Sequence, residues 1–133
     1  MALSRLRHPL LVAALSLGAA LPLSLGGALP PPVQAQVPLN EVRALNFARN
    51  TGIGINGGLI AYRPQACMFS TSAATNPCLI RSDSKGFLYR FLGGPPGWQS
   101  TNQPATIETE LLVAPDGKSL VKVLYNGPPR QRR

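Results

Sequence analysis

Glu108 and Glu110 stand two residues apart in "TIETELLV". In an extended strand this spacing puts both carboxylates on one face, where a general acid and base could work together. It is equally the ordinary pattern of a strand's polar side. The single histidine is His8, inside an N-terminal segment expected to be removed. The remaining chain then has no imidazole for acid–base work, metal ligation or activation of a serine. Ser84 beside Lys85, and Lys118 beside Ser119, are serine–lysine neighbours. Adjacent strand residues point to opposite faces, and both pairs lie near turns, so they read as solvated polar groups. Carboxylates and histidines do not gather at metal-ligand spacing. We expect no catalytic, metal-binding or cofactor-binding residue, and hence no enzyme.

"TGIGINGG", residues 51–58, contains G-x-G-x-x-G at Gly52, Gly54 and Gly57. A dinucleotide site needs a strand before these glycines and a helix after them, so that pyrophosphate meets a helix N-terminus. Here a helical pattern precedes and an extended one follows, which would present a helix C-terminus and its partial negative charge. No Asp or Glu occurs between Glu41 and Asp83 to bind a ribose. The glycines therefore read as a helix stop at Gly52 and a turn into the first strand.

Two groups of residues have other chemistry. Cys67 and Cys78 enclose a short polar loop and lack C-x-x-C spacing, which predicts one disulfide in an oxidising compartment. Trp98, in the Pro/Gly loop "GGPPGWQSTNQP" (93–104), could anchor a partner or stack on a sugar. Its simpler role is to fold back over the edge of a small core, and that role is favoured. Arg90, Lys122, Arg130, Arg132 and Arg133 supply cations for contact with an anionic surface.

Residues 1–35 have the form of a signal peptide: Arg5 and Arg7, an apolar run, a proline break, and "VQA" before Gln36. Cleavage after Ala35 is expected, the alternative being an uncleaved anchor. No cysteine follows the apolar run, and Leu6 separates the arginines, so neither a lipid anchor nor a twin-arginine signal fits. The membrane is then met only in transit through the leader. The remaining chain keeps all five acids and every Lys and Arg except Arg5 and Arg7, a net charge of +6. This excess suits an envelope protein or an anionic polymer as partner, periplasmic or extracellular, and makes nucleic acid the weaker choice.

The elements that must position these groups follow from periodicity. "LNEVRALNFARN" (39–50) predicts a helix with Asn40 as its cap, Glu41 in its first turn, and Leu39, Val42, Leu45 and Ala48 as an apolar stripe. Arg49 should lie near its last carbonyls. Strands are predicted at 59–63, 87–92, 106–113 and 119–125. Phe87, Tyr89 and Phe91 share one face; Ile107, Leu111 and Val113 lie together with Glu108 and Glu110 opposite; Val121, Val123 and Tyr125 align, leaving Lys122 across. "PDGK" (115–118) makes a hairpin turn, "SDSKG" (82–86) another. The fold class is α+β, one N-terminal helix on a three- to four-stranded antiparallel sheet, a single small domain over 36–127, with 128–133 a basic, disordered tail.

The segment "ALNFARNTGIGINGGLIAYRPQACMF" (44–69), followed by "FLYRFLGGPPG" and "LVKVLYNG", resembles a small exported domain of uncharacterised proteins, mainly of cyanobacteria. The likeness spans most of the chain after the leader and implies a single domain with no added catalytic residue. The layout is also similar to cystatin-like and PepSY-type α+β folds, which implies a peptidase inhibitor or chaperone module as an alternative. The cystatin Q-x-V-x-G loop is absent. The expected function is non-enzymatic binding by an exported domain, with a minor hydrolase as the third alternative.

Overall fold

Helix α1 runs from Leu39 to Ile55 in the computed structural model, which describes residues 27, 36–70 and 75–131. The expected leader over 1–35 lies outside the described residues, Gly27 apart, as do 71–74, Arg132 and Arg133. The chain divides into two units, Met1–Val33 and Gln34–Arg133, and the secondary structure described belongs to the second. After α1 come β1 (Arg63–Pro64), a short 3-10 turn (Ala66–Phe69), β2 (Leu79–Asp83), β3 (Gly86–Gly94), β4 (Ile107–Val113) and β5 (Leu120–Gly127). All strand pairs are antiparallel: β3 pairs β4, β4 pairs β5, and β1 and β2 both pair β3. The fold is α+β with five strands, where three or four were expected.

The helix ends later than its sequence predicts, because Gly52 and Gly54 are inside it. Its buried side is Ala44, Leu45, Ala48 and Gly52, the i, i+4, i+8 row plus Leu45. Leu39 is 61% exposed, since steps of three residues fall short of a full turn and carry the stripe off the buried face. Pro38 takes the N-cap position, its carbonyl accepting from Glu41 and Val42 N–H. Asn40, expected as the cap, donates instead to Pro115 O at 3.1 Å and ties the helix start to the β4–β5 hairpin. At the far end Asn56 donates to Gly52 O at 2.8 Å. Asn56 also exchanges amide hydrogen bonds with Asn126, whose Oδ1 accepts from Thr109 Oγ1. Arg49 does not reach the last carbonyls; it donates to Met68 O at 3.3 Å.

Small residues on α1 let it lie close to the sheet. A Cβ added at Gly52 would stand 2.6 Å from Phe91 Cζ, and Phe91 is only 1% exposed. The core beneath is Phe87, Tyr89 and Phe91 of β3 with Leu111 and Val113 of β4, joined by Met68 and Cys78. The period-2 alternation of β3 and β4 therefore places these residues as predicted. Burial raises the pKa of the Tyr62 and Tyr89 hydroxyls, at Tyr62 against an opposing interaction with the Thr109 side chain. Tyr62 packs where a side chain at Gly93 would be: a Cβ there would meet its ring at 2.2 Å.

The predicted strand 59–63 is mostly turn. Ala61 and Tyr62 N–H bond back to Gly58 O, and only Arg63–Pro64 pairs, with Gly94 and Gly93. Pro64 has no N–H to extend the ladder. Strand β2, by contrast, was not anticipated; its polar residues hide the alternation, and the turn predicted over 82–86 narrows to Ser84 and Lys85. "PDGK" forms the predicted turn, with Gly117 at φ 73° and Asp116 Oδ1 accepting Lys118 N–H at 2.9 Å.

Cys67 and Cys78 form a disulfide with Cα atoms 5.9 Å apart. Buried Asn76 spans the same gap, donating to Cys67 O at 2.6 Å and accepting Cys78 N–H at 2.8 Å. The clasp feeds directly into the sheet, since Cys78 O accepts Arg90 N–H at 2.9 Å.

Two glycines of α1 should respond oppositely to alanine. At Gly54 nothing lies within 4 Å of an added Cβ, so Gly54→Ala should stabilise by up to about 1 kcal/mol through helix propensity. At Gly52 the same gain is outweighed by overpacking against Phe91, costing about 1–3 kcal/mol. Urea midpoints of the two variants check this; equal midpoints would refute the close approach. Reduction of the disulfide should cost about 3 kcal/mol, read from the shift of the urea midpoint with and without reductant.

Candidate functional site

The sheet face away from α1 is built from the even-numbered residues of β3 and β4. Arg90 stands opposite Glu110, Leu92 opposite Glu108, and Leu88 opposite Leu112. Opposed residues of an antiparallel pair share a face. On β5 the register shifts twice, leaving Val121 and Leu124 as extra residues. The shift at Leu124 corrects the predicted alignment: Val123 faces Leu111 on the core side, but Tyr125 lies opposite Glu110 and joins Lys122 on the open face.

Glu108 is 3% exposed and Glu110 is also buried, which is unusual for acids unless cations compensate them. The compensation comes from two directions. Arg90 Nε donates to Glu110 Oε2 at 3.0 Å and lies 3.7 Å from Glu108 Oε1. Arg130, expected in a disordered tail, folds back over the sheet. Its backbone N–H donates to Glu108 Oε2 at 3.0 Å, its Nε donates to Glu108 Oε1 at 3.0 Å, and its Nη2 reaches both carboxylates. Tyr125 supports the guanidinium from its ring face at 4.1 Å, and its hydroxyl donates to Pro128 O at 2.6 Å. Arg130 is thus tied to the sheet by both its backbone and its side chain.

Burial by itself would raise the pKa of both carboxyls. Hydrogen bonds and charge from Arg130 and Arg90 outweigh it and hold both below the usual glutamate range. A carboxylate fixed in its ionised form between two guanidiniums is poorly suited to donate a proton. Beside this network lies a cleft of about 410 Å³, walled by Gln65, Leu92, Arg90, Pro129 and Arg130 among others. Ser84 and Lys85 occupy the β2–β3 turn, and Lys118 and Ser119 the β4–β5 hairpin, so neither pair joins the carboxylates. Among the described residues, no three His, Cys, Asp or Glu side chains gather as metal ligands, and no helix is long and apolar enough to cross a membrane.

Trp98 marks the end of the same face. The position of Gly94 continues the row Leu88, Arg90, Leu92, and a Cβ there would stand 3.0 Å from Trp98 Cγ. The indole therefore lies against the sheet on the face away from α1, outside the core cluster, with its Nε1 donating to Arg63 O at 3.0 Å. It nevertheless stays half-buried and walls two open clefts, of about 220 and 280 Å³. The loop holds itself: Trp98 N–H donates to Pro95 O, Gln103 N–H to Trp98 O, and the Ser100 and Thr101 hydroxyls to Gly97 O.

Of the residues proposed for contact, Arg90, Lys122, Arg130 and Trp98 thus lie along one face, while Arg132 and Arg133 lie outside the described residues. The sequence did not single out Phe69 or the Tyr125–Arg130 stack. Tyr125 was hidden by the bulge at Leu124.

The lowered carboxyl values have a definite sign. The network's contribution is fully present above the unfolded glutamate value, about 4.3, and is lost as pH falls through the lower folded values. In Arg130→Ala both carboxylates lose a partner, so the loss of stability between about pH 7 and about pH 3 should be smaller than in wild type. Urea midpoints at the two pH values measure it; an unchanged difference would show that the tail does not hold the acids.

Comparison of the chain with protein-family models, with curated proteins and with solved structures finds no match in any of the three.

Proposed function

We propose that this protein is an exported binding domain that acts by contact through the sheet face opposite α1, with Trp98 as its anchor. The observation that carries the proposal is the placement of Trp98. It is held in one orientation by Arg63 O and Gly94, yet leaves part of its ring to solvent between two clefts. A preoriented aromatic ring loses little freedom on binding, which favours its use as an anchor. The electrostatics point to the same end of the face. Arg90 and Arg130 are engaged by Glu108 and Glu110, so their charge is largely internal. Export is supported by the disulfide, which suits an oxidising compartment, together with the leader pattern read in residues 1–35.

The exported protein, recovered from the producing cells, should begin at Gln36 on N-terminal sequencing. Immobilised, it should retain one envelope component that Trp98→Ala fails to retain while Arg130→Ala keeps it. Retention insensitive to Trp98, or substrate turnover by the purified protein, would overturn the proposal.

A further inference from the structure

The surface around Trp98 has a chemical character narrower than a general contact site. One cleft is walled by Arg63, Phe69, Trp98, Gln99 and Ser100. The other adds Thr101 and Gln103 to the Trp98 ring and three prolines. Neither wall contains an acidic side chain. Arg63 makes no ion pair among the described residues, and neither does Arg49, whose guanidinium stacks 5.3 Å from the Phe69 ring centroid. The site therefore joins a fixed flat ring, a set of neutral amides and hydroxyls, and the Arg63 cation, with Arg49 stacked on Phe69 outside the cleft walls.

From this we propose that the Trp98 surface binds an acidic polysaccharide, a chain of sugars bearing carboxylates; the inference rests on the contact function above and names its partner. A pyranose presents an apolar face to stack on the indole. Its hydroxyls match the amides of Gln99 and Gln103, and its carboxylate meets the guanidinium of Arg63. Other polymers fit less well. A strand-like peptide needs a free edge, but beside Trp98 the edge strand is the two-residue Arg63–Pro64, and Pro64 lacks an N–H. A single-stranded nucleic acid asks for several successive rings along a basic groove, whereas the cleft walls here hold two rings, Trp98 and Phe69, and one arginine, Arg63.

The test uses polygalacturonate as the acidic probe and dextran as its neutral counterpart, in affinity gel electrophoresis of the exported protein. Polygalacturonate should retard wild type and dextran should not. Trp98→Ala and Arg63→Gln should each weaken retardation on the order of tenfold, and Trp98→Phe, which keeps a ring, should retain most of it. Quenching or enhancement of the single tryptophan's fluorescence by polygalacturonate should saturate over the same concentrations. Absence of retardation by polygalacturonate overturns the proposal. So does retardation equal in all variants, which would mark diffuse attraction to the basic surface. Binding of dextran in place of polygalacturonate, if lost in Trp98→Ala, overturns the acidic-sugar assignment but leaves contact through Trp98 standing.

Discussion

Two carboxylates lie side by side on the middle of a sheet with almost no access to water, and much of the open face is arranged around that fact. Glu108 and Glu110 could not remain ionised there without close cations, because removing a charge from water costs more than a distant partner returns. One cation, Arg90, comes from the neighbouring strand at the register position that opposes Glu110. The other must come from outside the sheet. The chain meets this by turning back at Pro128 and laying Arg130 across both acids. Tyr125 can support that guanidinium only because β5 carries an extra residue at Leu124, which swings the ring to the charged side. Bulge, tail and ion network are thus one device.

The opposite face obeys a steric rule instead of an electrostatic one. Alanine and glycine on α1 bring the helix backbone close to Phe91, while the disulfide and Asn76 fix the segment that closes the side of the core. The two sets of constraints meet on β3 and β4, whose alternate residues serve the core and the ion network in turn. A register slip of one residue on either strand would send aromatic rings to the charged side and charges to the core.

That alternation explains what was legible in the sequence. A period of two along "FLYRFL" and "TIETELLV" is a direct imprint of burial on one side, so β3, β4, their faces and the hairpin at "PDGK" could be read without coordinates. Features that depend on partners distant in sequence could not. Gly52 is a helix breaker by propensity, yet the close contact with Phe91 makes it a helix interior residue. The bulge at Leu124 has no local signal, and it moved Tyr125 to the wrong face in any strictly alternating scheme. Arg130 looks like part of a solvated tail because its partners are 20 and 22 residues away. Trp98 was legible as a candidate, but the placement of Arg49 was not, because it stacks on Phe69 from the middle of the helix.

The same division decides where binding belongs on this face. Charge count alone would nominate the Arg90–Arg130 centre, the densest cluster of guanidiniums among the described residues. Each of those cations already has a buried carboxylate at hydrogen-bond distance, so an incoming anion would have to compete with Glu108 and Glu110 for them. Among the described residues Arg63 faces no such competitor, and a ligand there keeps the stacking surface of Trp98 within reach. An uncompensated cation beside a fixed ring offers more to a ligand than two cations that are neutralised from within. The basic excess of the chain is therefore a poor guide to the site, and the pairing pattern of its charges a better one.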